Sequence, residues 1–193
     1  MSQQNDLKKI LEESPAIQQI LTQAPSLELS NWYLGAGIIA QTVWNKKHGF
    51  DLNTGIKDAD LIYFDTDTSY KKEDAFIAAG AKTFSDTSIP VEIRNQARVH
   101  LWYREHFGYD IEPYMSSEDA IDTWPTTATS IGIRLDNPGG LCVYAPFGLD
   151  DLMSMTVRAN KRQVTEEIYL QKTNRWRDVW PNLKIISWDA QVG

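Results

Sequence analysis

The fold predicted from the sequence is a single mixed α/β domain of the α+β class, in which helices flank a mixed β-sheet. Three observations predict it. Segments with apolar residues at helical spacing alternate with short apolar runs closed by Gly, Pro or Asp. One of those runs, residues 59–64, is apolar without two-residue alternation, as in a strand covered on both faces. Two later runs are joined by Asp136-Asn137-Pro138-Gly139-Gly140, residue types that accept tight backbone angles, so an antiparallel hairpin belongs to the sheet. The 193 residues, 42% of them hydrophobic, suffice for one core.

Residues 6–22 carry Leu7, Ile10 and Leu11, then Ile17, Ile20 and Leu21 after Pro15, at helical intervals. This is a helix or helix pair, expected as an N-terminal helical cap over 1–25, with the main domain spanning 26–193. Residues 32–34 form a short apolar run ending in Gly35-Ala36-Gly37, after which Ile38, Ile39, Val43 and Trp44 recur as on a helix. A polar loop over 48–56 precedes the 59–64 strand, the candidate central strand. Residues 71–81 read as an outer helix, 90–93 as a strand, and 96–107 as a helix stopped by Gly108. Ser116 with Asp119 three residues on resembles a capping box, opening a helix through Trp124 that Pro125 ends. Residues 130–135 and 141–144 form the hairpin, 150–158 and 166–180 read as helices, and 183–188 as a final edge strand.

Composition excludes several classes. Nineteen Lys+Arg against 26 Asp+Glu leave a formal charge of −7, which opposes general coating of nucleic acid but not a small phosphorylated ligand reached through divalent metal. Cys142 is the only cysteine, so neither an intramolecular disulfide nor a structural zinc site is expected, which points to a reducing, cytoplasmic compartment. The first residues mix both signs of charge without an apolar run, unlike a signal peptide. No stretch approaches ~18 uninterrupted apolar residues, so no membrane partner is expected.

The chemistry-bearing pattern centres on Asp58 and Asp60. Two residues apart at the head of an apolar strand, their carboxylates point to one face and repel unless a cation neutralises them. A hard, oxygen-lined site of that kind suits Mg²⁺ or Mn²⁺. A solvated strand end has the same spacing, so the pair counts only in context. Upstream, Gly35-Ala36-Gly37 leaves a strand and enters a helix, where minimal side chains let backbone N–H groups approach an anionic phosphate; a plain tight turn uses the same residues. Downstream, Glu92 lies in the next strand and offers a third oxygen ligand or a general base. The inference rests on the order of glycine turn, helix, Asp-x-Asp strand and neighbouring acid.

Those residues resemble the DNA polymerase β-type nucleotidyltransferase superfamily, whose core motif is a hydrophobic residue, Gly-Gly or Gly-Ser, a helix, and a framed Asp-x-Asp/Glu pair. Here it reads Leu34-Gly35-Ala36-Gly37 and Asp58-Ala59-Asp60-Leu61-Ile62. More narrowly, Trp32-Tyr33-Leu34-Gly35-Ala36-Gly37, Asn95-Gln96-Ala97-Arg98-Val99-His100-Leu101-Trp102-Tyr103, Trp124-Pro125-Thr126-Thr127-Ala128-Thr129 and Ala145-Pro146-Phe147-Gly148-Leu149-Asp150-Asp151-Leu152 resemble a bacterial nucleotidyltransferase-like family over most of the chain beyond the first helices. The resemblance implies that Asp58 and Asp60, with Glu92 as third acid, hold two metal ions while an acceptor attacks the α-phosphate of a nucleoside triphosphate in line. Catalysis would then come from positioning and charge neutralisation. Two departures bear on triphosphate geometry: Gly-Ala-Gly replaces Gly-Gly or Gly-Ser, and Lys57 stands where an apolar residue is common.

Other residues carry two readings. Arg94, Asn95, Gln96, Arg98 and His100 crowd one segment, where they contact base or phosphate, or else hydrogen-bond the helix to the sheet. Arg134, inside a strand, needs a carboxylate partner or a substrate phosphate, and the structural ion pair is preferred. Lys161, Arg162, Lys172, Arg175 and Arg177 read as a solvated helix face, Trp102, Trp124, Trp176, Trp180 and Trp188 as core, and Asp150 and Asp151 as helix caps. The expected function is metal-dependent transfer of a nucleoside monophosphate from a nucleoside triphosphate to an unidentified small-molecule or protein acceptor. The alternatives are a catalytically weak nucleotide-binding or regulatory module, and a partner-binding protein whose acids only solvate a strand end.

Overall fold

A computed structural model describes residues 2–136 and 139–190. Two short helices, α1 (Gln3–Glu12) and α2 (Pro15–Gln23), open at serines whose side chains accept the amides of Asn5 and Ile17. Their apolar stripes bury Leu7, Leu11, Ile17 and Ile20 in the core used by the sheet and by α3 (Gly37–His48).

The sheet has the order β3 (Val91–Asn95), β2 (Ala59–Tyr63), β1 (Tyr33–Gly35), β4 (Gly132–Asp136) and β5 (Gly140–Tyr144). β2 and β3 run parallel, joined through α4 (Tyr70–Thr83), and the other pairs are antiparallel. The sheet is therefore mixed, with β2 interior and the three-residue β1 in the middle. β4 and β5 pair as the expected hairpin, while Asn137 and Pro138 of its turn lie outside the described residues.

The strand register sorts side chains between two faces. Leu34, Leu61, Tyr63, Ile93 and Ile133 enter the main core. In the alternating positions Glu92, Asp60, Gly35 and Gly132 form one row across the other face. That second face is covered by Ile121 of α6 (Ser117–Ile121) with Trp124, while α5 (Val99–Phe107), which follows a 3-10 turn at Gln96–Arg98, packs in a separate cluster with Tyr114 and Ala120.

Three expected elements differ. Residues 150–158 are not one helix: α7 (Asp150–Met153) stops before Met155, which adopts φ +55°. The β-branched Thr156–Val157 (β6) then pairs in parallel with Lys184–Ile185 (β7), so the strand expected over 183–188 is short and lies in a separate two-stranded sheet. The helix after Ser116 ends at Ile121, and the carbonyls of Asp122 and Trp124 accept the Asn160 amide at 2.8 and 2.9 Å. Asp150 and Asp151 do not cap; Asp150 accepts from Gln3 at 2.7 Å, and Asp151 accepts from Thr127 at 2.6 Å and pairs with Arg158. The last long helix is α8 (Glu166–Val179), opened by Thr165. No helix of the described residues is long and apolar enough to cross a membrane.

Candidate active site

The head of β2 places Asp58 and Asp60 on the wall of a cleft of about 320 Å³, which Ala36 and Gly37 border from the glycine turn and Arg94 and Gln96 from the end of β3. Gly35 serves this site indirectly. A Cβ there would lie 2.4 Å from a ring carbon of Trp124, so only glycine lets that indole settle over β1 beside the acids. Ala36 is strained, with φ +56° and ψ −124°, a conformation that costs a non-glycine residue about 1–3 kcal/mol. The turn it makes starts α3 at Gly37 without a side-chain cap, leaving first-turn amides with no intrahelical partner at the cleft.

Burial pushes the Asp60 carboxyl up to about 6, the neighbouring Asp58 and Glu92 carboxylates add to the rise, and Arg94 and Lys172 oppose it. Asp60, whose ionisation is resisted in this way, and Asp58 two residues before it border one cleft and offer hard oxygen donors of the kind that fit Mg²⁺ or Mn²⁺. Glu92 sits beside Asp60 in the parallel register, but its carboxylate accepts from Arg94 Nη2 at 2.6 Å. No group of three His, Cys, Asp or Glu that could hold a metal occurs among the described residues. The two aspartates are thus brought together, and the third acid stands next to them engaged with an arginine.

The opposite wall comes from α8. Tyr169, Thr173 and Trp176 form its buried stripe, and Trp176 and the following Trp180 pack edge-on against Trp44 at 5.3 and 5.4 Å. Lys172 and Arg175 flank that stripe and line the cleft; Lys172 is half-buried, which corrects its reading as a solvated face, while Arg175, like Lys161, Arg162 and Arg177, is exposed as expected. Burial and the Arg175 charge hold the Lys172 ammonium below its usual range, while Asp60 and Asp58 pull it back. A lysine adjoining an apolar helical stripe was the available signal. Gln41, one turn into α3, is also a cleft residue that the sequence reading passed over; it is buried, and its Oε1 has no hydrogen-bond partner.

Aromatic side chains line much of the rest of the cleft: Trp102, Tyr103 and Phe107 of α5 with Tyr114 and Trp124. Trp102 and Trp124 are therefore half-buried cleft walls, whereas Trp176 and Trp180 are core as expected. Trp188 packs partly buried against that core, under the Lys161 ammonium.

Other candidates lie away from the cleft. Asn95 is buried and ties down the turn after β2, accepting from the Asp65 amide at 3.0 Å and donating to the Asp65 carbonyl at 2.9 Å. Arg98 pairs with Glu73 at 2.7 Å. Arg134 pairs with Asp136 at 3.5 Å, and its guanidinium lies 4.6 Å from the Tyr33 ring centroid, in line with the structural ion pair. His100 Nδ1 is buried without a partner and does not border the cleft.

Residues 22–185 match a family model described as nucleotidyltransferase. A protein solved by NMR, whose structure is described as revealing a CCA-adding enzyme head domain, is similar with a TM-score of 0.76 and 28% identity, over 93% of this chain and 95% of that one. No match is found among curated proteins. The family model spans well over half of the sequence, and the chain belongs to the nucleotidyltransferase family.

Proposed function

We propose that the protein transfers a nucleoside monophosphate from a nucleoside triphosphate to an acceptor hydroxyl or phosphate, with Mg²⁺ or Mn²⁺ held by Asp58 and Asp60. One observation carries this reading: two carboxylates, an uncapped helix N-terminus and two basic side chains of α8 share a single cleft. When bound, the cation supplies charge neutralisation and polarises the α-phosphate. The first-turn amides of α3 beyond Ala36 and Gly37, together with Lys172 and Arg175, take the anionic oxygens of the triphosphate and of the departing pyrophosphate. Arg94, drawn to the phosphates, leaves Glu92 free to act as the third acid, and Gln96 steadies that strand end through its bond to the Arg94 carbonyl. Gly35 supports these groups by leaving room for the Trp124 indole, while Asn95 and Arg134 hold neighbouring parts of the sheet and its loops.

The donor half of the reaction is also supported by the likeness to a head domain described as CCA-adding. For the acceptor, the formal charge of −7 opposes a broad grip on a phosphate backbone and favours a small molecule or a protein side chain. The lone cysteine suits a cytoplasmic setting. A second reading, a catalytically weak nucleotide-binding or regulatory module, is favoured only by the ion pair that occupies Glu92.

The test is a titration of nucleoside triphosphate with and without Mg²⁺, read as thermal stabilisation, followed by transfer of α-phosphate label into a cell extract. Metal-dependent stabilisation and label transfer are expected, both lost in Asp58→Asn/Asp60→Asn. Stabilisation without transfer above that control supports the binding module, and no stabilisation at all overturns both readings.

A further inference from the structure

We infer that the aromatic part of the cleft reads the base of the donor nucleotide through Gln163, a specificity-determining residue held in place by Tyr114. This rests on the nucleotidyl-transfer reading of the same cleft and adds to it a reader for the rest of the donor.

Gln163 belongs to the stretch before α8 and lines the cleft beside Tyr114 and Thr123. Its backbone carbonyl accepts from the Tyr109 hydroxyl at 2.9 Å, which fixes where the side chain begins. Its carboxamide meets the Tyr114 hydroxyl with both polar atoms, Nε2 at 2.9 Å and Oε1 at 3.2 Å, and that hydroxyl is anchored by Thr123 Oγ1 at 2.8 Å. Proton bookkeeping then limits what is satisfied. The Tyr114 oxygen carries one hydrogen, the amide nitrogen carries two, and the amide oxygen has two lone pairs. Whichever way the phenol hydrogen turns, at least one N–H and one lone pair of Gln163 have no partner in this network. Tyr114 occupies the edge on which the N–H and C=O lie side by side, so the unused N–H and lone pair point to opposite sides of the fixed carboxamide, and each can meet a single acceptor or donor of a base.

The surroundings suit the rest of a base. Trp102 and Tyr103 from α5 and Trp124 from the other side give flat apolar walls, the setting in which planar heterocycles stack. These walls and the two aspartates border one cleft, and about 320 Å³ is small for a ligand site, room for one nucleotide and not for a bulky second molecule. The ring among these walls is therefore assigned to the donor.

Calorimetric titrations in Mg²⁺ buffer with inorganic tripolyphosphate and with ATP, GTP, CTP and UTP test the assignment on wild type, Gln163→Leu and Tyr114→Phe. Wild type is expected to bind tripolyphosphate, and to bind its preferred triphosphate about tenfold or more tightly than the poorest. Gln163→Leu should compress that spread to within about threefold and leave tripolyphosphate affinity unchanged, since it deletes only the carboxamide. Tyr114→Phe, which keeps the ring and releases the carboxamide, should compress the spread in the same direction; a purely structural role would weaken all ligands alike. An unchanged ranking in both variants, or a wild type indifferent to the base, overturns the inference while tripolyphosphate binding leaves the nucleotidyl-transfer reading standing. Absence of binding by every triphosphate and by tripolyphosphate removes both.

Discussion

Lys172 and Asp60 face the same cleft from opposite walls, and each alters the other's ionisation: the ammonium opposes the rise of the carboxyl, and the carboxylate opposes the fall of the ammonium. One comes from the last long helix and the other from an interior strand. Site electrostatics therefore depend on how α8 is docked onto the sheet domain.

Replacing Asp60 by asparagine should stabilise the metal-free protein while removing transfer. The folded carboxyl titrates near 6 against an ordinary value of 3.8, so the folded state keeps its proton longer than the unfolded chain. Stability from this group accordingly falls as pH rises from about 4 through 6, by roughly 3 kcal/mol at pH 7. Denaturant unfolding in chelator should show Asp60→Asn more stable than wild type by about that amount at pH 7.5, with the gap shrinking to well under ~1 kcal/mol at pH 4. A gap independent of pH would show that the carboxyl is not strained by its charge.

Lys172→Met keeps an apolar side chain of similar length in the cleft wall and deletes the cation. The triphosphate KM should rise at least ~10-fold, with kcat changing much less if the contact is made equally in ground and transition states. Arg175→Ala, at an exposed position, should raise KM with no loss of Tm. Steady-state kinetics with thermal melts separates these outcomes from a general loss of fold.

The parts of the site legible in the sequence are those set by local geometry. Asp58 and Asp60 border one cleft because a strand repeats every two residues, and Gly35-Ala36-Gly37 turns because small residues accept such a turn. Gln41 and the Tyr114–Gln163 contact are not legible, and Lys172 is legible only as a lysine beside an apolar stripe, because their places depend on how α8, α3 and the 109–114 segment pack over distances that periodicity does not encode. Residues 150–158 were read as a helix because nothing in the side chain of Met155 announces a positive φ; the strand that follows exists through its pairing with Lys184–Ile185. Arg134 was legible as an ion pair, but its partner proved to be Asp136 on its own strand.

Strain in the glycine turn gives opposite expectations at adjacent positions. Ala36→Gly removes the Cβ from a φ +56° conformation and should raise stability by about 0.5–1 kcal/mol, after the entropy that glycine adds to the unfolded chain. Gly35→Ala drives a methyl into the Trp124 ring and should lower it by about 1–3 kcal/mol, with loss of transfer as the indole is displaced from the cleft. Thermal melts of the two variants, measured beside wild type, check both signs.

Docking of α8 has its own anchor at Asn45. This fully buried side chain accepts from Trp180 Nε1 at 2.6 Å and donates to the carbonyls of Leu52 and Thr54, both at 2.9 Å. One amide thereby ties the end of α8 to α3 and to the loop before β2. Asn45→Leu strands an indole N–H and two carbonyls in the interior, each costing about 1–3 kcal/mol if no water reaches it, so a total loss of roughly 3 kcal/mol or more is expected. Because Lys172 and Arg175 ride on α8, amide hydrogen exchange along 166–179 should accelerate, and triphosphate affinity should fall although Asn45 does not border the cleft. Trp180→Phe removes the donor and part of the ring packed against Trp44, so it should reproduce the exchange effect, its cost combining an unpaired Asn45 oxygen with the lost ring volume. Equal exchange rates in wild type and both variants would show that α8 is held by its aromatic contacts alone.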